Sequence, residues 1–188
     1  MSPRPHALRY SQRTMTIAPR PARHRYSYDE YLAYERDSGM KHEYDDGEIF
    51  AMAGGSRRHS ALALRVGAAL ANARKPGCVA FQSDLRIRIL ATGKATYPDA
   101  SVVCGPIEGD PADPAGSTVT NRGGKWQHYQ LIPSLQEYVL VSQSQPRVER
   151  YRRLAPGGWE YHDMTEGSVH LLTGAVLDLA RLYAQLPD

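Results

Sequence analysis

The chain has 188 residues, 41% of them apolar and 23% charged, with a net charge of +3 at neutral pH. That is long enough for one domain with its own core, and so mild a positive balance permits contact with nucleic acid without demanding it. No apolar stretch approaches a membrane span and the start lacks a signal-peptide core, so the expected place is the cytoplasm.

Residues 1 to about 25 are rich in Arg and Pro without periodicity and read as a disordered leader, within which Met15 is an alternative start. The single ordered domain is expected from Tyr26 to Asp188. Ser27 with Glu30 forms a capping box ahead of a helix from Tyr28 to about Asp37, and Gly39 ends it. Lys41 to Tyr44 then turns through Asp45-Asp46-Gly47 into Glu48 to Met52, because Asp-Gly is a tight-turn signal. After Gly54-Gly55, Ser56 can cap a long helix to about Lys75, with Leu62, Val66, Ala69, Leu70 and Ala73 at helical spacing.

Strands follow at Cys78 to Phe81, Leu85 to Leu90 and Tyr97 to Cys104, and the long helix is expected to pack near the strand of Leu85 to Leu90. Cys78 and Cys104 lie in apolar surroundings and read as buried free thiols, since two cysteines make neither a disulfide framework nor a zinc site. The Gly- and Pro-rich segment from Gly105 to Gly116 cannot be a central strand. A helix is expected from about Thr120 to Leu131 and an apolar strand from Glu137 to Val141. Val148 to Arg152, Trp159 to His162 and Val169 to Leu172 form a terminal meander, closed by a helical turn over Leu177 to Leu186. The succession is α+β with a mixed sheet.

Chemistry-bearing residues concentrate around Tyr97-Pro98-Asp99. A proline that fixes an acid at the mouth of a strand suits a carboxylate ligand for a hard cation such as Mg²⁺. The same pattern also serves as a turn cap. Glu43 and Glu48 flank the hairpin and read equally as solvated cross-strand charges. Arg86 and Arg88 alternate with apolar neighbours and share one face, either a groove for DNA or a solvated edge. His59, near a helix start, suits phosphate contact or a cap.

Taken together, Tyr31-Leu32-Ala33, His42-Glu43-Tyr44, Asp46-Gly47-Glu48-Ile49 and Met52-Ala53-Gly54 with His59 form a recognisable series. It continues through Ser83-Asp84-Leu85-Arg86-Ile87-Arg88, Tyr97-Pro98-Asp99, Pro133 to Val141 and Val148-Glu149 with Tyr151-Arg152-Arg153. In order and spacing, from about Tyr26 to Tyr183, the chain resembles the Uma-two family of restriction-endonuclease-like proteins, which has the PD-(D/E)xK nuclease fold. The resemblance implies a mixed central β-sheet flanked by helices with a C-terminal β meander, and Mg²⁺-dependent hydrolysis of DNA. By it, Asp99 is the first-strand metal ligand, Glu43 the hairpin or helix-side acid with Glu48 competing for that role, and Lys125 the displaced lysine. A homodimer is left open.

The family places a Glu-bearing strand after its Pro-Asp strand, and here only Ser117-Thr118 matches the end of it. Asn121 stands where the family has Asp, and Ser142 where an Asp closes the next strand. Glu108, Asp110 and Asp113 are the acids nearest the loss, each beside Gly or Pro and poorly held as ligands. The expectation is a fold kept and a catalyst impaired, or alternatively a non-catalytic relic or nucleic-acid-binding module. Asp99, Glu43 or Glu48, and Lys125 should share one cleft, and the strand of Glu137 to Val141 should move in to pair with that of Tyr97 to Cys104.

Overall fold

A computed structural model of the chain describes residues 24–73, 75–113, 118–121, 126 and 129–187. The leader before His24 and the sequence-predicted site residue Lys125 lie outside the described residues.

Helix α1 (Tyr28–Ser38) starts where the capping box requires: Glu30 N donates to Ser27 Oγ at 3.2 Å and Ser27 N to Glu30 Oε2 at 2.6 Å. It stops at Gly39, whose φ of 66° belongs to the left-handed region that glycine enters without strain. Its buried face, Tyr28, Tyr31 and Leu32, covers the hairpin of β1 (His42–Asp45) and β2 (Glu48–Ala51). Asp46 and Gly47 both take positive φ, as a two-residue turn matched to strand twist demands.

Helix α2 (Arg57–Asn72) is capped by Ser56, which accepts from His59 N at 3.1 Å. Then come β3 (Cys78–Gln82), β4 (Arg86–Ile89), β5 (Lys94–Thr96), β6 (Ala100–Cys104), β7 (Thr118–Asn121) and β8 (Glu137–Val141). The chain closes with β9 (Val148–Arg153), β10 (Trp159–Met164), β11 (Ser168–His170), β12 (Val176–Asp178) and α3 (Leu179–Tyr183). A five-stranded mixed sheet runs β2-β1-β5-β4-β7, parallel only between β4 and β7. The meander β8-β9-β10 forms a second, antiparallel sheet, with β3-β6 and β11-β12 as ribbons. The fold is α+β, as the sequence predicts.

The main core lies under α2, where Leu62, Val66 and Ala69 meet Val139 and Val141 of β8 with Val148, Val169, Leu177, Leu179 and Leu182. The opposite face of the meander carries a cross-strand row, Tyr138 beside Tyr151 beside Tyr161. Trp126 packs on it, 3.8 Å from Tyr151 between ring centres.

Five expectations are corrected here. First, Cys78 and Cys104 are directly opposite in the β3-β6 ribbon and form a disulfide, not two free thiols. Second, the helix expected from Thr120 begins instead as strand β7, because Thr118-Val119-Thr120 is a β-branched run that pairs with β4. Third, β8 does not pair with β6. Pro98 withholds an amide, β6 starts only at Ala100, and its partner is β3, while β8 pairs with β9. Fourth, α2 packs on β3 and β6, and Ile87 and Ile89 of β4 belong to a separate apolar cluster with Leu85. Fifth, the Gly- and Pro-rich segment is more than a surface loop, because Asp110 is 1% exposed.

Candidate functional site

Register decides which acids meet. Tyr44 of β1 lies opposite Ala95 of β5, and both face α1. Alternation then turns Glu43 and Thr96 to the other side of the sheet, opposite one another. The Thr96 hydroxyl, 2% exposed with the rest of its residue, donates to Glu43 Oε1. One step along the same face, Lys94 Nζ lies 2.7 Å from Asp45 Oδ2.

Glu48 is opposite Asp45 in the hairpin, so it shares the face of Glu43 but stands at the turn end. Both carboxylates point to one side, and the row they occupy separates them. Glu43 is level with the end of β5 that leads into Tyr97-Pro98-Asp99.

Asp99 is 62% exposed in its side chain, and its Oδ1 lies 3.2 Å from His59 Nε2. His59 sits in the first turn of α2, placed by the Ser56 cap and by Gly55, where a Cβ would collide with the imidazole ring.

Tyr129 closes the arrangement. It is 7% exposed and its ring is 5.1 Å from Tyr138. Burial first, then Tyr138, and then the negative charges of Glu43 and Asp99 push the phenol well above its ordinary value, so it stays a neutral hydroxyl. Tyr138 is shifted upward as well, by burial, Tyr151 and Asp99. The site therefore reads as a Glu43–Thr96 pair between β1 and β5 and an Asp99–His59 pair at the start of α2.

Thr96 and Tyr129 were not legible as site residues in the sequence. β5 is three residues long, and Tyr129 falls in a stretch that reads only as the apolar face of a helix. The signal for Thr96 was its β-branched place just before Pro-Asp.

The opposite face of the same sheet holds the arginines, and they serve structure. Arg86 is 6% exposed, donates to Asp113 Oδ2 at 2.6 Å and to the Tyr97 hydroxyl at 3.0 Å. That hydroxyl in turn donates to Glu35 Oε1 at 2.6 Å, and His42 Nδ1 lies 2.9 Å from Glu35 Oε2. Arg88 stacks 3.6 Å above the Tyr28 ring and donates to Asp110 Oδ1 at 3.1 Å, while the Tyr28 hydroxyl donates to Asp110 Oδ2 at 2.9 Å. Neither a DNA groove nor a solvated edge describes this pair. Asp110 and Asp113 are committed to arginines on the side of the sheet away from Glu43, while Glu108 is exposed.

Mg²⁺ needs near-octahedral oxygen coordination from at least one or two well-placed carboxylates. Among the described residues no group of three or more His, Cys, Asp and Glu is placed to hold a metal ion. Glu43 is engaged by a hydroxyl and Asp99 by an imidazole. Among the described residues, then, the side chains supply no complete ligand shell of their own for such a cation.

Residues 28–181 match the model of the Uma2 family, whose description reads "Putative restriction endonuclease". A Synechocystis sp. relative, "Uncharacterized protein slr1290", is 35% identical over 146 residues, covering 71% of this chain and 77% of the relative. A second from the same organism, "Uncharacterized protein sll1609", is 30% identical over 147 residues, covering 69% and 82%. The fold is similar to that in a crystal structure titled as a "putative nuclease belonging to DUF820" from Anabaena variabilis. The TM-score is 0.61 at 19% identity, covering 85% of this chain and 98% of the other.

Proposed function

The chain belongs to the Uma2 restriction-endonuclease family, and from that premise we propose a single nuclease-type domain, residues 26–188, whose Mg²⁺-dependent cleavage of DNA is impaired. The observation that carries the reading is the carboxylate pair itself. Glu43 accepts from the Thr96 hydroxyl, and Asp99 faces the His59 imidazole 3.2 Å away. In an intact site, carboxylates hold a cation that activates water and screens the phosphate. Without a second strand to supply the next ligand, several orders of magnitude in rate would be lost.

Asp99 and Glu43 are the residues through which residual activity would run, with Lys125 as the charge-stabilising lysine and Glu48, opposite Asp45 at the turn end of the hairpin, as the alternative to Glu43. The partner class is DNA. The proposed compartment is the cytoplasm, where the Cys78–Cys104 pair would be held reduced for much of the time. No helix among the described residues is long and apolar enough to cross a membrane. The non-catalytic binding module is the weaker reading, because burial of Arg86 and engagement of Arg88 remove two cations from any DNA-facing surface.

The test incubates the full chain with supercoiled and linear DNA at saturating Mg²⁺ and, separately, Mn²⁺. No nicking above that of Asp99→Ala is expected. Robust cleavage that disappears in Asp99→Ala would overturn the reading and show that another acid has replaced the lost one.

A further inference from the structure

The sheet joins the two acid-bearing segments of the candidate site only thinly. β1, which carries Glu43, is registered with β5 through one pair, Tyr44 opposite Ala95. β5 ends at Thr96 and β6 starts at Ala100, so Tyr97, Pro98 and Asp99 lie between strands, and Pro98 has no amide to give to a ladder. Reacting groups tolerate only about 0.5 Å of looseness. The anchor of the Pro-Asp segment is therefore to be sought among side chains.

Glu35 of α1 supplies it. Tyr31 and Glu35 are four residues apart and share the face of α1 turned to the sheet. The Glu35 carboxylate, 9% exposed, accepts from the His42 amide at 3.0 Å, lies 2.9 Å from His42 Nδ1, and accepts from the Tyr97 hydroxyl at 2.6 Å. His42 immediately precedes Glu43, and Tyr97 stands two residues before Asp99. One buried carboxylate thus grips both segments from the α1 side of the sheet. Arg86 Nη1, 4.0 Å from Glu35 Oε1, also donates to the Tyr97 hydroxyl at 3.0 Å, and the Tyr31 hydroxyl donates to the His42 carbonyl at 2.6 Å. Donors on this scale are what a carboxylate needs to stay inside.

We propose that Glu35 is a positioning residue of the candidate site: through His42 and Tyr97 it fixes where Asp99 stands relative to β1 and to His59. The inference rests on the reading of Asp99 and Glu43 as nuclease-type acids, and it gives a helix residue outside every motif of the site the task of aligning them. Tyr97→Phe keeps the ring and cuts the link to the Pro-Asp segment alone. Glu35→Gln keeps the size of the side chain and weakens both links.

The experiment follows the full-length chain by nuclear magnetic resonance. In wild type a through-space cross-peak between the His59 ring protons and the Asp99 β-protons is expected from the 3.2 Å contact of these side chains. It should be lost in Glu35→Gln and in Tyr97→Phe. Tyr28→Phe is the control: it removes another buried hydroxyl between α1 and the sheet, one that bonds Asp110, and should keep the cross-peak. Thermal denaturation shows which variants are folded, and either Glu35→Gln or Tyr97→Phe suffices. A cross-peak kept in the folded variants would overturn the proposal and leave the nuclease-type reading standing. Loss in Tyr28→Phe as well would also overturn it, because the packing of α1 as a whole would then place Asp99. No cross-peak in wild type would dissolve the Asp99–His59 pair and overturn both.

Discussion

Asp110 sits among Gly109, Pro111 and Ala112, a setting that reads as loop, and yet its carboxylate is fully buried. What takes it inside is charge. Arg88 emerges from β4 toward α1, stacks on Tyr28, and leaves a guanidinium that must be neutralised; Asp110 supplies the anion, and the Tyr28 hydroxyl and Ala112 amide complete its hydrogen bonds. Asp110→Ala should therefore cost about 3–5 kcal/mol in chemical denaturation, the penalty for stranding a largely buried cation. A loss below about 1 kcal/mol would show that the loop is not latched this way. Asp113 does the same for Arg86 one step along the strand. No local pattern announces such pairs, because the partners are brought together only when α1, β4 and the loop assemble.

At the scale of elements, what was legible had its cause in adjacent residues. The capping box at Ser27, the Asp46-Gly47 turn and the Ser56 cap each place an element boundary from within a few positions. β5 was not legible, since Lys94-Ala95-Thr96 is a strand only because β1 and β4 flank it. The packing of α1 on this sheet makes a testable prediction about pH. Burial first, and then its hydrogen bond to Glu35, pushes Tyr97 up to about 12, and burial drives Tyr28 and Tyr31 higher still. Folding thus favours the neutral phenols, and this contribution is complete below the unfolded value of about 10 and is lost as pH rises through the folded ones. Denaturation midpoints should be steady up to about pH 10 and then fall towards about 12, with a shallower fall in Tyr97→Phe. A flat profile across that window would contradict the burial of these hydroxyls. The β3-β6 ribbon makes a second prediction. Its disulfide joins residues 26 apart, and closing a loop of that size stabilises by about 3–4 kcal/mol. Reductant should lower the midpoint of wild type and leave that of Cys78→Ser/Cys104→Ser unchanged; an unmoved wild type would mean that the thiols are free.

For the molecule as a whole, the strands of the described residues divide among separate sheets. In the described residues β6 has a partner on one edge only, and so does β8, although both lie against the core beneath α2. Each buried amide or carbonyl left without a partner would cost about 1–3 kcal/mol, so a sealed gap between two bare edges is not stable. The strand resolves this by remaining half-exposed along Ala100 to Val103, which lets its outer edge reach water. The Ser101 hydroxyl is the one polar side-chain atom of β6 that is buried without a hydrogen-bond partner. Hydrogen exchange can read the outcome amide by amide. In β9, flanked on both edges by β8 and β10, every amide should be protected. In β6, alternate amides should be protected by β3, and the intervening ones should exchange at rates near those of loops. Uniform protection along β6 would mean that another segment covers the edge, and with it the place where the second acid of the family would stand.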